Sequence, residues 1–454
     1  MTKSAAYREI GGSIAAPASK SSMQRATACA LLAEGESVLR APSRSADCLA
    51  ALGVARELGA AVVDRGDSFS IRGIGLAGGR ASAAVAAARG AASVSCGESG
   101  LCLRMFAPIA ALFSGEVELR AEGSLRRRPV SMIESPLAEL GAACSTSSGL
   151  PPVRVRGPLR GGRARVDGRE SSQLLTGLLV ALPLASSDSV LEVEGLASRG
   201  YVDLTLGTMR AFGVEAERDP SYSRFSIRGG QSYRAGDFAV EGDWSGAAFL
   251  LVAGALAACG EPLLVENLDP ASSQPDRAIL EALVAAGASV DRRSGPGGPA
   301  GSSSIAVKRG ALKAFDFDAG DCPDLFPPLV ALALACEGET SLRGARRLRA
   351  KESDRAAALS EELAKLGARV IVEDDLMRVS GVGLSRGGSL AGGRVDARGD
   401  HRIAMAAAVA SLLCGSPVEI AGADCVAKSW PSFFADMEKI AYKFLVDKRR
   451  FPRA

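Results

Sequence analysis

The chain has 454 residues, 47% of them hydrophobic and 23% charged, and its formal net charge is only +3. This length favours two domains of roughly 200 residues each, and the small net charge argues against a dedicated nucleic-acid surface. No apolar run approaches the ~20 residues of a membrane span, and the first residues lack the apolar core of a secretory signal. We therefore expect a cytoplasmic protein that binds neither nucleic acid nor membrane.

Cysteine and histidine usage limits the possible metal chemistry. Most of the ten cysteines, for example Cys29 and Cys336, lie inside apolar segments, and no Cys-x-x-Cys pair occurs. The chain has a single histidine, His401, so a zinc site is not expected. Buried, reduced thiols are typical of a cytoplasmic protein.

A repeated unit runs along the chain. Each copy is an Ala/Leu-rich helical stretch, then a stop containing glycine, then a β-hairpin with alternating apolar and polar residues. Glycine just past a helix adopts the left-handed conformation that ends it, and the alternation gives each hairpin one buried face. The five stops are Leu58-Gly59-Ala60, Leu140-Gly141-Ala142, Phe212-Gly213-Val214, Ala286-Gly287-Ala288 and Leu366-Gly367-Ala368.

The spacing of the copies predicts the domain organisation. Successive copies lie about 70–80 residues apart, which is longer than solenoid units. Each is therefore predicted to be a βαβ-type subdomain, and an abbreviated sixth copy ends with an amphipathic helix over 433–442. Six subdomains in two groups of three suit two domains, with a boundary near 240–243. A Gly/Ser/Pro loop over 295–304 lies inside one hairpin, and the tail over 443–454 is basic.

Polar segments with small residues and cations interrupt the repeats. Ser19-Lys20-Ser21 precedes one helical run, residues 96–104 open a helix predicted over 105–113, and Glu170-Ser171-Ser172-Gln173 opens another. A helix start offers free N–H groups and a positive dipole end, which suit an anion. The alternative for each segment is a simple helix cap with solvated cations.

Further charged segments follow the same pattern. They are Arg126-Arg127-Arg128, Ala197-Ser198-Arg199-Gly200-Tyr201, Ala350-Lys351-Glu352-Ser353-Asp354-Arg355 and Ala427-Lys428-Ser429-Trp430-Pro431. The four-residue spacing of Lys351 and Arg355 places them on one face of a predicted helix, although such runs are usually solvated. The glycine run at 73–78 matches a dinucleotide fingerprint but ends a repeat hairpin, so we discount it.

The single histidine lies between Asp400 and Arg402, where an Ala-rich apolar segment begins. The unperturbed pKa of histidine is near neutrality, so a functional role is open beside a structural one.

Taken in order, these segments resemble the 5-enolpyruvylshikimate-3-phosphate synthase (3-phosphoshikimate 1-carboxyvinyltransferase) family of enolpyruvyl transferases. The resemblance covers the chain from about Glu9 to Phe434, and its most specific elements are Lys351 to Arg355 and Asp400 to Met405. It implies an α/β fold of two domains, each built of three βαβαββ-like subdomains in an inside-out α/β barrel. Domain I would comprise residues 1–18 and 241–454, domain II residues 19–240, and the active site would lie in the cleft between them.

The implied reaction moves the enolpyruvyl group of phosphoenolpyruvate to the 5-hydroxyl of shikimate 3-phosphate and releases phosphate. The reaction belongs to the shikimate pathway of aromatic amino-acid biosynthesis and uses no metal or organic cofactor. We expect the protein to be a monomer. Both substrates are small polyanions, which explains why the polar segments are rich in cations and helix starts.

The resemblance implies overlapping sets of site residues. Those for shikimate 3-phosphate are Lys20, Ser21, Arg25, Ser171, Ser172, Gln173, Ser198, Tyr201, Asp324 and Lys351. Those for phosphoenolpyruvate are Lys20, Gly100, Arg128, Gln173, Arg355, Arg402 and Lys428. The catalytic residues would be Lys20, Asp324, Lys351 and Glu352. His401, beside Arg402, would lie at the edge of the site and tune or orient other groups.

The reaction requires these residue types. Attack at C2 of phosphoenolpyruvate needs a base on the hydroxyl and an acid at C3, and loss of phosphate from the tetrahedral intermediate needs the reverse transfers. Asp324 matches the carboxyl beside the attacking hydroxyl, and Glu352 matches the one at the methylene carbon. The cation clamp stabilises charge that builds on phosphate. Which group is acid and which is base stays open.

Some positions depart from the commonest family pattern, and rival functions remain. Glu98 occupies a position that is commonly Asn in the family, Leu101 one that is Thr, and Met105 one that is Pro. The contacts around Gly100, and the sensitivity to inhibitors that mimic phosphoenolpyruvate, are therefore open. Arg347 occupies a position that is Asn in some members. The rivals are enolpyruvyl transfer to a UDP-amino sugar and a non-catalytic anion-binding paralogue. A Lys-Asn pair near the start and a nucleophilic cysteine would mark the first rival.

Overall fold

The structure is a computed structural model that describes residues 1–75, 92–294 and 303–442. Three sequence features fall wholly or partly outside the described residues. They are the second half of the glycine run at 73–78, most of the loop at 295–304 and the basic tail at 443–454.

The described chain alternates short strands with helices. The helices are α1 (Lys20–Leu32), α2 (Ala46–Glu57), α3 (Gly100–Ala110), α4 (Glu134–Glu139), α5 (Gln173–Ala181), α6 (Arg199–Ala211), α7 (Trp244–Ala257), α8 (Ile279–Ala285), α9 (Phe326–Ala335), α10 (Arg355–Ala364), α11 (His401–Ala410) and α12 (Phe433–Ile440). The strands are β1 (Lys3–Ala5), β2 (Glu9–Ile10), β3 (Ser13–Ala15), β4 (Glu36–Arg40), β5 (Ala61–Asp64), β6 (Ser68–Arg72), β7 (Ala92–Ser95), β8 (Glu116–Arg120), β9 (Ala143–Ser147), β10 (Leu150–Arg156), β11 (Gly162–Asp167), β12 (Ser189–Glu194), β13 (Glu217–Arg218), β14 (Arg224–Ile227), β15 (Asp237–Ala239), β16 (Leu263–Leu268), β17 (Ser289–Ser294), β18 (Ser303–Lys308), β19 (Asp316–Asp318), β20 (Glu339–Arg343), β21 (Arg369–Glu373), β22 (Leu376–Ser380), β23 (Gly393–Asp396), β24 (Val418–Ala421) and β25 (Ala441–Tyr442).

The strands form six small sheets, one for each predicted repeat. Five have four strands, in the orders β15-β4-β6-β5, β7-β8-β10-β9, β11-β12-β14-β13, β17-β18-β16-β3 and β19-β20-β22-β21. The sixth has three, in the order β1-β24-β23, and β2 pairs separately with β25. A typical unit runs β11-α5-β12-α6-β13-β14, in which β11 and β12 are parallel and the last strand is antiparallel to its neighbours. The predicted βαβαββ architecture and the abbreviated sixth unit are confirmed.

The six most buried helices lie inside the molecule, with the sheets outside them. Helices α7, α9 and α11 contact one another, and α3 contacts both α1 and α5. From its fourth residue onward each of these six helices is buried at every position. A helix that is buried on all sides must be covered all round. Neighbouring helices cover one side, and strands that contact α1, α3, α7, α9 and α11 cover another, as the inside-out arrangement requires.

Buried apolar side chains form two separate cores. One core draws on residues 5–16 and 244–440, and the other on residues 23–240. We call the parts built on them lobe 1 and lobe 2, respectively. The chain crosses between the lobes twice, and the two connecting segments are hydrogen-bonded to each other. Ser19 N donates to Glu241 O at 2.8 Å, and Asp243 N donates to Pro17 O at 2.7 Å. The boundaries at 18/19 and 240/241 stay a prediction.

Local sequence signals set the helix ends. All five glycines of the predicted stops, Gly59, Gly141, Gly213, Gly287 and Gly367, have positive φ. The helix predicted over 105–113 begins earlier, at Gly100, because the Ser99 hydroxyl caps it by accepting from Cys102 N at 3.2 Å. Among the described residues, no helix is long and apolar enough to cross a membrane.

One helix prediction was wrong. Lys351 does not share a helical face with Arg355, because helix α10 begins only at Arg355. The Asp354 side chain caps it by accepting from Ala357 N at 3.1 Å. The residues before the cap form an irregular turn, which frees Lys351 and Glu352 to face the site from a loop.

Candidate active site

The starts of the buried helices meet at one place between the lobes. Four of the six starts are capped by a short polar side chain that accepts backbone N–H groups: Ser19 on α1, Ser99 on α3, Asp243 on α7 and Asp400 on α11. Side-chain bonds join neighbouring starts: Ser99 Oγ donates to Gln24 Oε1 at 3.0 Å, and Arg402 donates to Ser245 Oγ at 2.9 Å. Their positive dipole ends therefore favour an anion here.

Asp324 is the centre of the lobe 1 side of the site. Its Oδ1 lies 3.0 Å from Arg355 Nη1 and 3.6 Å from Lys351 Nζ, while its Oδ2 lies 3.1 Å from Arg402 Nη2. Burial acts to raise the pKa of Asp324, but these three cations and Lys20 outweigh it and hold the pKa well below the usual value. Asp324 is therefore an ionised carboxylate surrounded by cations.

Glu352 and Asp400 complete this cluster around Arg355. Arg355 is 1% exposed; its Nη2 lies 2.6 Å from Glu352 Oε2 and its Nε 2.9 Å from Asp400 Oδ2. Asp400, which is fully buried, also caps α11 by accepting from Arg402 N at 3.0 Å. Burial would raise the pKa of Glu352, yet the nearby cations, Arg355 first, hold it well below its usual range.

Two lysines face these carboxylates from opposite lobes. Lys20, at the start of α1, donates to Asp47 Oδ2 at 2.9 Å. Burial acts against its charged form, but Asp47 and Glu352 outweigh that effect and raise the pKa of Lys20. In lobe 1, burial lowers the pKa of Lys351 to about 8, although Asp324 opposes the shift. Lys351 is therefore the lysine that can change charge near physiological pH.

His401 is buried beside this cluster and is held neutral. It is 1% exposed, and neither of its ring nitrogens has a hydrogen-bond partner among the described residues. Burial, followed by the charges of Lys20 and Arg402, lowers the pKa of His401 well below 6.5. The structure thus places His401 next to the predicted catalytic groups, while its predicted orienting role stays a prediction.

Lobe 2 contributes a pair of arginines next to Gly100. A Cβ atom at Gly100 would lie 2.8 Å from Arg128 Nη1 and 2.9 Å from Arg104 Nη1, so only glycine leaves room for both. Arg104 donates to Gln173 Oε1 at 2.9 Å and to Pro129 O at 2.8 Å. Burial and then Arg128 act to lower the pKa of Arg104. Neither arginine has a carboxylate within ion-pair distance among the described residues, so a bound anion would relieve their repulsion.

Arg25 is a third buried cation of lobe 2. It is 2% exposed, and its donors reach neutral oxygens: Thr205 Oγ1 at 2.9 Å, Ser21 O at 2.9 Å and Tyr201 O at 3.2 Å. Its guanidinium also lies 5.6 Å from the centre of the Tyr201 ring. In the described part of the chain no carboxylate lies within ion-pair distance of it, which suits the binding of an anionic substrate that was predicted for Ser21 and Arg25.

The predicted phosphate-binding serines lie where the lobes touch. Ser171 Oγ accepts from Gln173 N at 3.2 Å, and Ser172 precedes the first residue of α5. Ser198 has a left-handed backbone with φ 59°, and its N–H donates to Asp321 Oδ1 at 2.7 Å across the lobes. Arg347 Nη1 donates to Ser198 Oγ at 3.0 Å, also across the lobes. A strained residue held by both lobes is typical of a functional site.

Tyr201 connects this group to a buried carboxyl. Its hydroxyl donates to Asp276 Oδ2 at 2.5 Å, and the other oxygen of Asp276 has no partner among the described residues. Burial and the proximity of Asp324 raise the pKa of Asp276 to about 7. The site therefore holds a further carboxyl, which is close to half-protonated at neutral pH.

The last predicted residue, Lys428, approaches from lobe 1. Its Nζ lies 2.8 Å from Glu98 Oε2 of lobe 2 and donates to Gly399 O at 2.9 Å. Most of the predicted residues thus lie on or beside helix starts, and Ser198, Tyr201 and Lys428 bond directly across the two lobes.

The sequence left several site residues unassigned. Arg104 and Asp400 lie inside the polar segments at helix starts, so the sequence pattern could have indicated them. Asp47 and Asp276 lie in ordinary elements with no motif around them. Their importance comes from partners far along the chain, which local patterns do not reveal.

Comparisons with known proteins agree with this geometry. The sequence profile of the family EPSP synthase (3-phosphoshikimate 1-carboxyvinyltransferase) matches residues 5–437. Proteins named 3-phosphoshikimate 1-carboxyvinyltransferase from Methanocorpusculum labreanum and Aeropyrum pernix are 37% and 39% identical to this chain. The alignments cover 95% of this chain in both cases, and 96% and 93% of the two relatives.

Solved structures share the architecture. EPSP synthase from Acinetobacter baumannii matches with a TM-score of 0.79 at 25% identity, covering 97% of this chain and 98% of that one. The enolpyruvyl transferase NikO from Streptomyces tendae matches with a TM-score of 0.71 at 18% identity, covering 97% of both chains. The two lobes of α/β units therefore have the fold of the enolpyruvyl transferases. Given the profile and the relatives, the chain belongs to the EPSP synthase family.

Proposed function

We propose that this protein transfers the enolpyruvyl group of phosphoenolpyruvate to the 5-hydroxyl of shikimate 3-phosphate and releases phosphate. One observation carries the proposal. Two partly buried carboxylates, Asp324 and Glu352, lie among cations of lobe 1, and three arginines of lobe 2 have no carboxylate within ion-pair distance among the described residues. These arginines are Arg25, Arg104 and Arg128. A site with proton-transfer groups and surplus positive charge suits a reaction between two polyanions.

The cations of the site divide into two groups that suit the two substrates. Arg25, with Ser171, Ser198 and Tyr201 nearby on lobe 2, would hold the carboxylate and phosphate of shikimate 3-phosphate. The clamp for phosphoenolpyruvate would draw on both lobes, with Arg128 and Gly100 from lobe 2. Its lobe 1 members would be Arg355, Arg402 and Lys428. Guanidinium groups bind carboxylate and phosphate with two parallel hydrogen bonds, which fixes the orientation of C2.

Substrate binding would prepare the carboxyls for proton transfer. In the structure, cations hold the pKa values of Asp324 and Glu352 well below their usual range, which makes both weak bases. The negative charges of phosphoenolpyruvate would neutralise Arg355 and Arg402 and so raise both pKa values toward the range that proton transfer needs. Asp324 can then take the proton of the attacking hydroxyl, and Glu352 can deliver one to the methylene carbon.

The second half of the reaction reverses these transfers. Loss of phosphate from the tetrahedral intermediate re-forms the double bond as the methyl group returns a proton to Glu352. Lys20 and the arginine clamp stabilise the charge on the departing phosphate, and they are already oriented by Asp47 and Asp324. Preoriented charges cost little reorganisation in the transition state.

We also propose that the protein acts as a cytoplasmic monomer. Seven of the ten cysteines are buried free thiols, and only Cys259 is fully exposed, which supports a reducing compartment. Light scattering during size-exclusion chromatography would test the oligomeric state, with one peak near 46.5 kDa expected.

A phosphate-release assay tests the proposed reaction. We expect purified protein to release phosphate from phosphoenolpyruvate only when shikimate 3-phosphate is present. Asp324→Asn should reduce the rate by about 100-fold or more, because it removes the proposed base. The surface variant Asp316→Asn, on strand β19, serves as a control and should keep full activity. Release with a UDP-amino sugar in place of shikimate 3-phosphate, or with no acceptor, would overturn the assignment.

A further inference from the structure

Glu98 and Lys428 form an ion pair that bridges the two lobes. Glu98 Oε2 lies 2.8 Å from Lys428 Nζ, and the two side chains are 32% and 12% exposed. Across the described ranges, every other ion pair stays within one lobe, as do Lys20–Asp47 in lobe 2 and Arg402–Asp324 in lobe 1. This pair can therefore form only when the lobes are brought together as they are here.

Glu98 is fixed firmly within lobe 2. The same oxygen, Oε2, accepts from Ser124 N at 2.9 Å and from Ser124 Oγ at 3.0 Å. The carboxyl group lies against the backbone of Gly123, where φ is 47° and a Cβ atom would come within 2.2 Å of Glu98 Cδ. Glycine at this position therefore makes room for the carboxylate, and Ser124 sets its direction.

Lys428 keeps one donor free for a ligand. An ammonium group has three N–H donors, and two of them reach Glu98 Oε2 and Gly399 O at 2.8 and 2.9 Å. Gly399 immediately precedes Asp400, the cap of α11, so the lysine is anchored to both lobes at the helix start. Once these two bonds are made, the geometry of the ammonium group fixes the direction of the third N–H, which can bind an anion.

We propose that Glu98 is a positioning residue that orients Lys428 toward the phosphate of phosphoenolpyruvate when the lobes close. The inference rests on the proposed function, in which Lys428 belongs to the phosphoenolpyruvate clamp. Glu98 acts through Lys428 and does not itself bind substrate. Because its bond crosses the lobes, the fully oriented cation is available only in the closed arrangement, which links closure to binding of the second anion.

Steady-state kinetics test the positioning role. Glu98→Ala should raise the KM for phosphoenolpyruvate about fivefold, the scale of one partly exposed charged contact, while kcat and the KM for shikimate 3-phosphate change less than twofold. Glu98→Gln keeps an oxygen that can accept from Lys428 and Ser124, so it should recover part of the loss. Glu118→Ala, which breaks an outer ion pair with Arg154 at 2.9 Å, is the matched control and should change nothing. An unchanged or lower KM for phosphoenolpyruvate, or an equal rise of both KM values, would overturn the proposal.

A double-mutant cycle tests whether the effect passes through Lys428. In a Lys428→Ala background, adding Glu98→Ala should change the KM for phosphoenolpyruvate less than twofold, because the group that Glu98 orients is already gone. A further fivefold rise in that background would show that Glu98 acts independently of Lys428 and would refute the proposal.

Hydrogen exchange separates this inference from the proposed reaction. With saturating inorganic phosphate present to fill the anion site and hold the lobes together, Glu98→Ala should speed amide exchange in residues 423–428, the turn that carries Lys428, and leave residues 134–139 unchanged. This measurement does not depend on turnover, so it remains informative if the protein proves inactive toward shikimate 3-phosphate. Unchanged exchange over 423–428 would contradict the proposed bond.

Discussion

Individual charges in this site are set by burial in competition with neighbours. Asp324 and Glu352 stay ionised although burial opposes it, because cations lie as close as 3.0 and 2.6 Å. Asp276, which lacks such a partner, has its pKa raised to about 7 by burial and by Asp324. Three carboxyls in one site thus take different protonation states, and their surroundings rather than their residue type decide which.

Lys351 should give the activity its alkaline limb. Burial lowers its pKa to about 8, so the free enzyme loses this cation as pH rises through that value. The kcat/KM for shikimate 3-phosphate should therefore fall above pH about 8. Lys351→Arg should move the fall to higher pH, because a guanidinium stays charged. Lys365→Arg, at an exposed lysine, is the control and should keep the wild-type profile; an identical fall in Lys351→Arg would contradict the assignment.

At the scale of elements, the short polar side chains that cap helices have two different roles. Asp354 caps α10 at the surface through one backbone N–H. Asp400 caps α11 in the interior and also binds Arg355 with two hydrogen bonds, at 2.9 and 3.2 Å. The first cap stabilises one helix end, whereas the second fixes a helix start to the charge cluster of the site.

Removing the two caps should have unequal costs. Asp354→Ala should lower the free energy of unfolding by about 1 kcal/mol, the usual value of a helix cap. Asp400→Ala should cost about 3 kcal/mol or more, because it also removes one partner from a buried ion pair. Urea unfolding followed by circular dichroism would measure both. Equal costs would mean that the Asp400–Arg355 pair adds nothing to stability.

The glycine stops can be tested by a pair of glycine variants with opposite outcomes. Gly367 has φ 87° and open space where a Cβ would lie, so Gly367→Ala should destabilise by about 1 kcal/mol through backbone strain alone. Gly207 lies inside α6, also with open space around it and without a positive φ, so Gly207→Ala should stabilise by about 0.5–1 kcal/mol. Thermal unfolding would compare them. A stabilising Gly367→Ala would refute the role of the left-handed stop.

At the scale of the whole molecule, the site is an interface between two cores. Cations of both lobes line it, with the unpaired Arg104 and Arg128 on lobe 2 and the carboxylate-paired Arg402 and Lys428 on lobe 1. Few bonds hold the lobes together at the site; those that do include Ser198 with Asp321 and Tyr201 with Asp276. The charge of the substrates should therefore influence how close the lobes lie.

Both substrates together should make the molecule more compact. Anions bound between the lobes neutralise mutually repelling cations and contact clamp residues from both sides. Small-angle scattering should show a smaller radius of gyration when shikimate 3-phosphate and phosphoenolpyruvate are saturating. Sodium chloride at the same ionic strength controls for general screening and should have a smaller effect. An unchanged scattering curve with both ligands would contradict substrate-driven closure.

Much of this protein was determined by the sequence alone. Alternating strands, apolar helices and glycine stops such as Gly59 and Gly213 predicted six α/β units, and polar segments at helix starts predicted an anion site. These signals are local: a cap, a stop or an alternating strand depends on residues a few positions apart. The irregular turn before Arg355 was not predicted. The charge spacing suggested a helix there, and spacing alone does not distinguish a helix from a loop that precedes a helix cap.

Only the tertiary structure decided which charges are paired and which are left for substrate. The bonded partners are far apart in the sequence: Lys20 and Asp47 are separated by 27 positions, Arg355 and Asp400 by 45, and Lys428 and Glu98 by 330. Such pairs depend on how helix starts from different units meet, and sequence patterns carry no distance information at that range. Burial, which sets the protonation of His401 and Lys351, likewise exists only once both cores have packed.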